Sequence, residues 1–97
     1  MTPEKKVKAK VSKILKSLGC YHFYASTGGY GSSGVPDIVG CYQGKFIGIE
    51  CKANGNKPTA LQYKHLNDIT YAGGMSLIID ETNVDILEMM ITGKQRI

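Results

Sequence analysis

No stretch of this sequence is apolar for long enough to cross a bilayer. Nor does an apolar segment follow the lysine-rich N-terminus, as it would in a secretory signal. Both absences point to a soluble, intracellular protein that works off the membrane. Cysteine is scarce: Cys20, Cys41 and Cys51 form an odd set, without the close, regular spacing of a disulfide framework. Together with His22 and His65 they make no C-x2-C or H-x3-H pair, which argues against structural zinc. Internal repeats and long linkers are missing too. A hydrophobic content of 42% with 21% charged residues argues against disorder. The 97 residues bound the chain to one domain, residues 1–97, or one subunit of an oligomer. A lone domain of this size buries roughly 60–70% of its unfolded surface, so partner subunits would add useful stability.

Acidic residues are the scarcer charge, with 8 Asp and Glu against 12 Lys and Arg, a net +4. Six lysines lie between Lys5 and Lys16, opposed there by no acid, whereas residues 80–97 carry four acids and two bases. One end is strongly cationic, as a phosphate-facing surface requires, although a solvated helix face would look the same.

Residues 3–18 have a helical pattern, with Val7, Val11, Ile14, Leu15 and Leu18 on one stripe. Thr2 is placed to cap the helix, Pro3 suits its first position and Gly19 ends it. Lys6, Lys10 and Lys13 lie mainly away from the stripe and are the candidate phosphate contacts. Strands are expected at 21–25, 37–42, 45–52 and 76–79. A second helix is expected over 58–72, opened by a Thr59/Gln62 capping box and ended by Gly73-Gly74. Asn83 is a candidate cap for a last helix running to about residue 92. The order α-β-β-β-α-β-α predicts an α/β fold with a mixed sheet.

The chemistry concentrates on two strands. Side chains alternate along a strand, so Glu50 and Lys52 share a face with Phe46 and Gly48, while Ile47, Ile49 and Cys51 share the other. If the chain reverses at Gln43-Gly44, Tyr42 pairs with Lys45 and Asp37 falls opposite Glu50. Gln is a poor first residue for such a tight turn. A four-residue loop keeps the pairing, whereas a three-residue loop breaks it. Facing carboxylates with Cβ atoms about 4.5–5.5 Å apart repel each other unless one is protonated or a cation lies between them. Hard oxygen ligands suit Mg²⁺ or Mn²⁺. Lys52 is placed to position a water or to neutralise charge on a phosphate, its simpler role being a salt bridge to Glu50.

Residues 26–34 form a Gly/Ser-rich loop around Tyr30 that reads formally as G-x-G-x-x-G. A strand follows it rather than a helix, so no nucleotide cofactor is expected. The loop suits contact with DNA, Tyr30 by stacking and Ser32 and Ser33 at the backbone, or serves as an ordinary connection.

Pro36-Asp37, a spacer and then Glu50-Cys51-Lys52 resemble the PD-(D/E)XK nuclease superfamily. With Glu4 on the first helix, Gly34-Val35 before Pro36, and Gln62 early in the next helix, the pattern looks like the virus-type replication-repair nuclease (VRR-NUC) family. The resemblance implies a restriction-endonuclease-like α-β-β-β-α-β core and a Mg²⁺- or Mn²⁺-dependent DNA endonuclease. Asp37, Glu50 and the Cys51 backbone carbonyl would ligate the metal, and Glu4 would support it through water. Lys52 would orient the attacking water, and Gln62 would position Lys52 or substrate. Glu4 also suits a helix N-terminus, and Gln62 already has a role in the capping box. The family further implies a phage, viral or bacterial setting and a homodimer acting on branched DNA such as four-way junctions. The rival readings are a non-catalytic DNA-binding module of the same fold, and a restriction-like or end-processing nuclease without junction preference.

Overall fold

The computed structural model describes residues 1–25 and 34–94. Helix α1 (Pro3–Ser17) starts where the Thr2 hydroxyl accepts from the Lys5 N–H at 3.2 Å, with Pro3 in its first turn. It ends in a Schellman motif: the Cys20 N–H donates to the Leu15 carbonyl and the Gly19 N–H to that of Lys16, with Gly19 at φ +71°. Cys20 and Leu15 are both buried, which closes the motif with an apolar contact.

Strands β1 (Tyr21–Tyr24), β2 (Ile38–Tyr42) and β3 (Lys45–Cys51) form an antiparallel meander. The β2–β3 turn has the two residues expected, with Tyr42 opposite Lys45. Both turn residues are left-handed, Gln43 at φ 48° and Gly44 at φ 83°, the signature of a type I′ turn. Thus Gln43 takes up a conformation that its side chain disfavours. Helix α2 (Ala60–Tyr71) then crosses to β4 (Met75–Ile79), which pairs parallel with β3. Both halves of the Thr59/Gln62 capping box are made. The sheet order is β1-β2-β3-β4. The result is an α/β fold with a mixed four-stranded sheet, as the sequence predicts and as a restriction-endonuclease-like core requires.

After β4 the expected helical start at Asn83 is tighter, a 3-10 turn (Val84–Ile86) leading into α3 (Leu87–Thr92). Asn83 does not cap it. Its carbonyl oxygen accepts from the Asp80 N–H at 2.8 Å, and its amide donates to the Ile78 carbonyl at 3.0 Å. The side chain is spent closing the turn at the end of β4, so it is turned away from the helix.

One sheet face carries Ile38, Ile47, Ile49 and Cys51 against Val7, Val11 and Leu15 of α1 and Leu87 and Ile91 of α3, all buried. Helix α2 lies on the opposite face over β3 and β4. Its approach requires Gly48, where an added Cβ would stand 2.5 Å from the Ile69 side chain. Beyond the reach of α2, that face leaves Tyr21, Phe23 and Cys41 exposed, with the Tyr21 and Phe23 rings edge to face, and Phe46 is exposed at the border with α2. Among the described residues, no helix is long and apolar enough to cross a membrane.

Candidate active site

Asp37 immediately precedes β2, and the Ile38–Ile49 pair puts it opposite Glu50 when the register is continued by one residue. Here the ladder gives way to a side chain. The Cys51 N–H donates to Asp37 Oδ2 at 2.8 Å, so the β3 backbone clamps that carboxylate. Asp37 Oδ1 lies 3.5 Å from Lys8 Nζ.

Glu50 is 1% exposed, the one buried polar or charged side chain among the described residues. Its Oε2 is 3.3 Å from Lys52 Nζ, and its Oε1 is buried with no hydrogen-bond partner among the described residues. Burial pushes the Glu50 carboxyl up to about 7, and the Asp37 charge adds to the rise, while Lys52 opposes both. Lys52 follows β3 and is anchored by its N–H to the Ile79 carbonyl at 2.9 Å. Its ammonium also lies 3.9 Å from Glu4 Oε1. The sheet end and the first turn of α1 therefore gather Glu4, Asp37, Glu50 and Lys52 into one chain of charges, and Lys8 joins it through Asp37.

A buried carboxylate oxygen without a donor is costly unless a cation meets it. Asp37 and Glu50, with the Cys51 carbonyl between them and Lys52 in sequence, are oxygen donors of the kind a hard divalent ion takes. Among the described residues no three His, Cys, Asp or Glu side chains converge, so a metal here would have to be held by the two carboxylates with other donors. Mg²⁺ commonly binds through one or two carboxylates with several waters, and the residues present fit it. The Cys51 thiol is pushed up to about 12, chiefly by burial, which keeps it neutral and confined to packing.

Two expected neighbours are placed differently from the pair. Glu4 reaches Lys52, and no side-chain cluster includes it as a third metal-ligating group. Gln62 accepts the Thr59 N–H on its side-chain oxygen at 2.8 Å, so that oxygen serves the helix cap. Lys6 and Lys10 line a cavity of about 180 Å³ with Asn54 and Glu81, and Lys13 is exposed on α1. Tyr30, Ser32 and Ser33 lie outside the described residues.

Lys8 is the residue that sequence reasoning missed. Its signal was its place four residues after Glu4, which puts the two on one helix face. Sorting the lysines by their distance from the apolar stripe hid it, because Lys8 is half-buried at the stripe's edge.

No protein-family model matches the chain. It is 33% identical over 75 residues to a protein named "Putative nuclease p44", from Acyrthosiphon pisum secondary endosymbiont phage 1. The match covers 76% of this chain and 77% of the phage protein. The chain belongs to that nuclease family. In this nuclease, the buried Glu50, the partly exposed Asp37 and the flanking Lys52 and Lys8 form the cluster of charged side chains that is the candidate active site.

Proposed function

We propose that this nuclease is a Mg²⁺- or Mn²⁺-dependent DNA endonuclease of the VRR-NUC type, acting as a homodimer on branched DNA. The observation that carries the reading is the buried Glu50, its Oε1 unpartnered, placed opposite Asp37 and beside Lys52. A divalent cation bound there supplies Lewis acidity, lowering the pKa of water and neutralising phosphate charge. Asp37 and Glu50 would hold it, with the Cys51 carbonyl as a further donor. Asp37 is kept in place by the Cys51 N–H. Lys52, with its stem mostly buried, holds its ammonium where it can orient the attacking water or stabilise the added charge. Glu4 positions Lys52 from the helix side. Cleavage breaks the phosphorus–O3′ bond and leaves a 5′-phosphate.

Association into dimers is supported by the uncovered Tyr21, Phe23, Cys41 and Phe46, a charge-free stripe on a strongly cationic chain. Two sites related by a two-fold axis would nick symmetry-related strands of a four-way junction. The phage relative supports action inside a bacterial cell.

The test is cleavage of a labelled four-way junction and its matched linear duplex with Mg²⁺, Mn²⁺ or EDTA, alongside Glu50→Gln and Lys52→Ala. Metal-dependent paired nicks near the branch, lost in both variants, are expected. Cutting without branch preference would leave a restriction-like or end-processing enzyme. A folded, Mn²⁺-loaded protein that cuts neither DNA would be a binding module.

A further inference from the structure

Beside Asp37 and apart from the Glu50–Lys52 pair lies a cavity of about 350 Å³, lined by Met1, Lys5, Lys8, Ala9, Tyr24 and the Asp37 carboxylate. Its walls follow from how α1 crosses β1. His22 is tied to α1 by a 2.8 Å bond between its Nε2 and the Ser12 hydroxyl, and to its own strand by Nδ1 and the Cys20 carbonyl at 2.9 Å. Two residues further along β1, on the same face, Tyr24 comes level with the preceding turn of the helix, which carries Lys5, Lys8 and Ala9. Tyr24 is 53% exposed, so its ring is accessible from solvent.

The chemistry of the lining is divided. Tyr24, Ala9 and Met1 give an apolar floor and a flat π surface. Lys5 and Lys8, three apart on the helix, supply ammonium groups at its rim. Lys8 is engaged with Asp37, whereas Lys5 is exposed on the same cavity. A flat apolar ring joined to an anion matches that division, and the volume lies at the lower end of ordinary ligand pockets, roughly 300–1,000 Å³. A base inside a duplex cannot lie on Tyr24, because its faces are taken by its neighbours; an unpaired base can.

We infer that this cavity binds one unpaired nucleotide flanking the scissile phosphate, its base stacked on Tyr24 and its backbone phosphate held by Lys5. The inference rests on the nuclease reading above and gives its substrate class a physical cause. DNA with an unpaired or frayed nucleotide beside the cleaved bond fills the pocket, and continuous duplex leaves it empty. Preference for DNA with an unpaired nucleotide at the cleaved bond therefore resides in Tyr24.

The experiment measures binding in EDTA, so that it does not depend on turnover. Fluorescence anisotropy compares a forked duplex carrying two unpaired arms with a fully paired duplex, for wild type, Tyr24→Leu and Tyr24→Phe. Tyr24→Leu should weaken fork binding by about 5- to 100-fold and change duplex binding by less than about twofold, while Tyr24→Phe retains the preference. In wild type, 5-iododeoxyuridine in the unpaired arm should cross-link under ultraviolet light to the peptide containing Tyr24. An unchanged fork-to-duplex ratio in Tyr24→Leu, or a cross-link only to other peptides, overturns the pocket while the nuclease reading stands. Absence of metal-dependent cutting, with the Tyr24 cross-link present, overturns that reading and keeps the pocket. Wild type that binds neither DNA removes both.

Discussion

Glu50 sits in a place where its charge is costly, and the proposed metal site needs that charge. Burial raises its pKa from an ordinary 4.5 to about 7, so the folded protein holds the proton more tightly than the unfolded chain does. Its contribution to stability is therefore fully present below about pH 4.5 and is lost as pH climbs through about 7. The metal-free protein should melt at least about 5 °C lower at pH 8 than at pH 5, and Glu50→Gln should flatten that step. A steeper fall in the variant would show that another group governs the profile. In the proposed site protons and metal would compete for the same oxygens, so Mn²⁺ affinity should weaken as pH drops below 7. Lys8 acts on the other carboxylate. Its ammonium, 3.5 Å from Asp37, offsets part of the charge that a divalent ion would otherwise neutralise. Lys8→Met should tighten Mn²⁺ binding several-fold by calorimetry; weaker binding would make Lys8 a support of the metal site and not a competitor.

At the scale of elements, the site depends on one tight turn. Gln43 and Gly44 set the register that puts Asp37 across from Glu50, and a one-residue slip would turn one of them to the other face. Gln43 spends backbone energy at φ 48° to do this. Gln43→Gly should raise stability by about 0.5–1 kcal/mol in urea unfolding, with the slope and the cleavage pattern unchanged. A loss of stability would mean that the Gln43 side chain makes a contact worth more than the strain. Helix α1 serves the site along its length. Its first turn brings Glu4 to Lys52, its second brings Lys8 to Asp37, and its apolar stripe anchors both to the sheet.

For the molecule as a whole, the uneven cover of the sheet is the main consequence. Helix α2 is only 12 residues long and spans β3 and β4, which leaves the β1–β2 end of that face bare. Tyr21 is 74% exposed and Phe23 52%. Sheet faces of this kind pack against another sheet at about 10 Å separation, and a second copy presents the same charge-free stripe. Phe23→Asp should convert a dimer into a monomer in sedimentation velocity at micromolar concentration, with the melting profile little changed. A wild type that sediments as a monomer up to about 100 μM would discard this face as a self-association surface.

Much of the site was legible in the chain because it depends on short-range rules. Strand alternation puts Glu50 and Lys52 on one face, the turn at Gln43-Gly44 brings Asp37 opposite, and Thr59 with Gln62 spells out a helix start. Such relations hold within a few residues or across one hairpin, where backbone geometry leaves few alternatives. Those rules did not extend to what Asn83 bonds, because its amide chose between a helix start and the end of β4, and packing made that choice. Nor could they tell which lysines lie near Asp37: Lys8 pairs with it and Lys5 lines the same cavity, whereas Lys6 and Lys10 line another. The sequence by itself determined the elements, the register and the pair of acids. Only the tertiary structure decided that Glu50 is buried with an unmatched oxygen, and that Tyr24 and Lys5 frame a cavity beside Asp37, because both depend on surfaces more than ten residues apart in the chain.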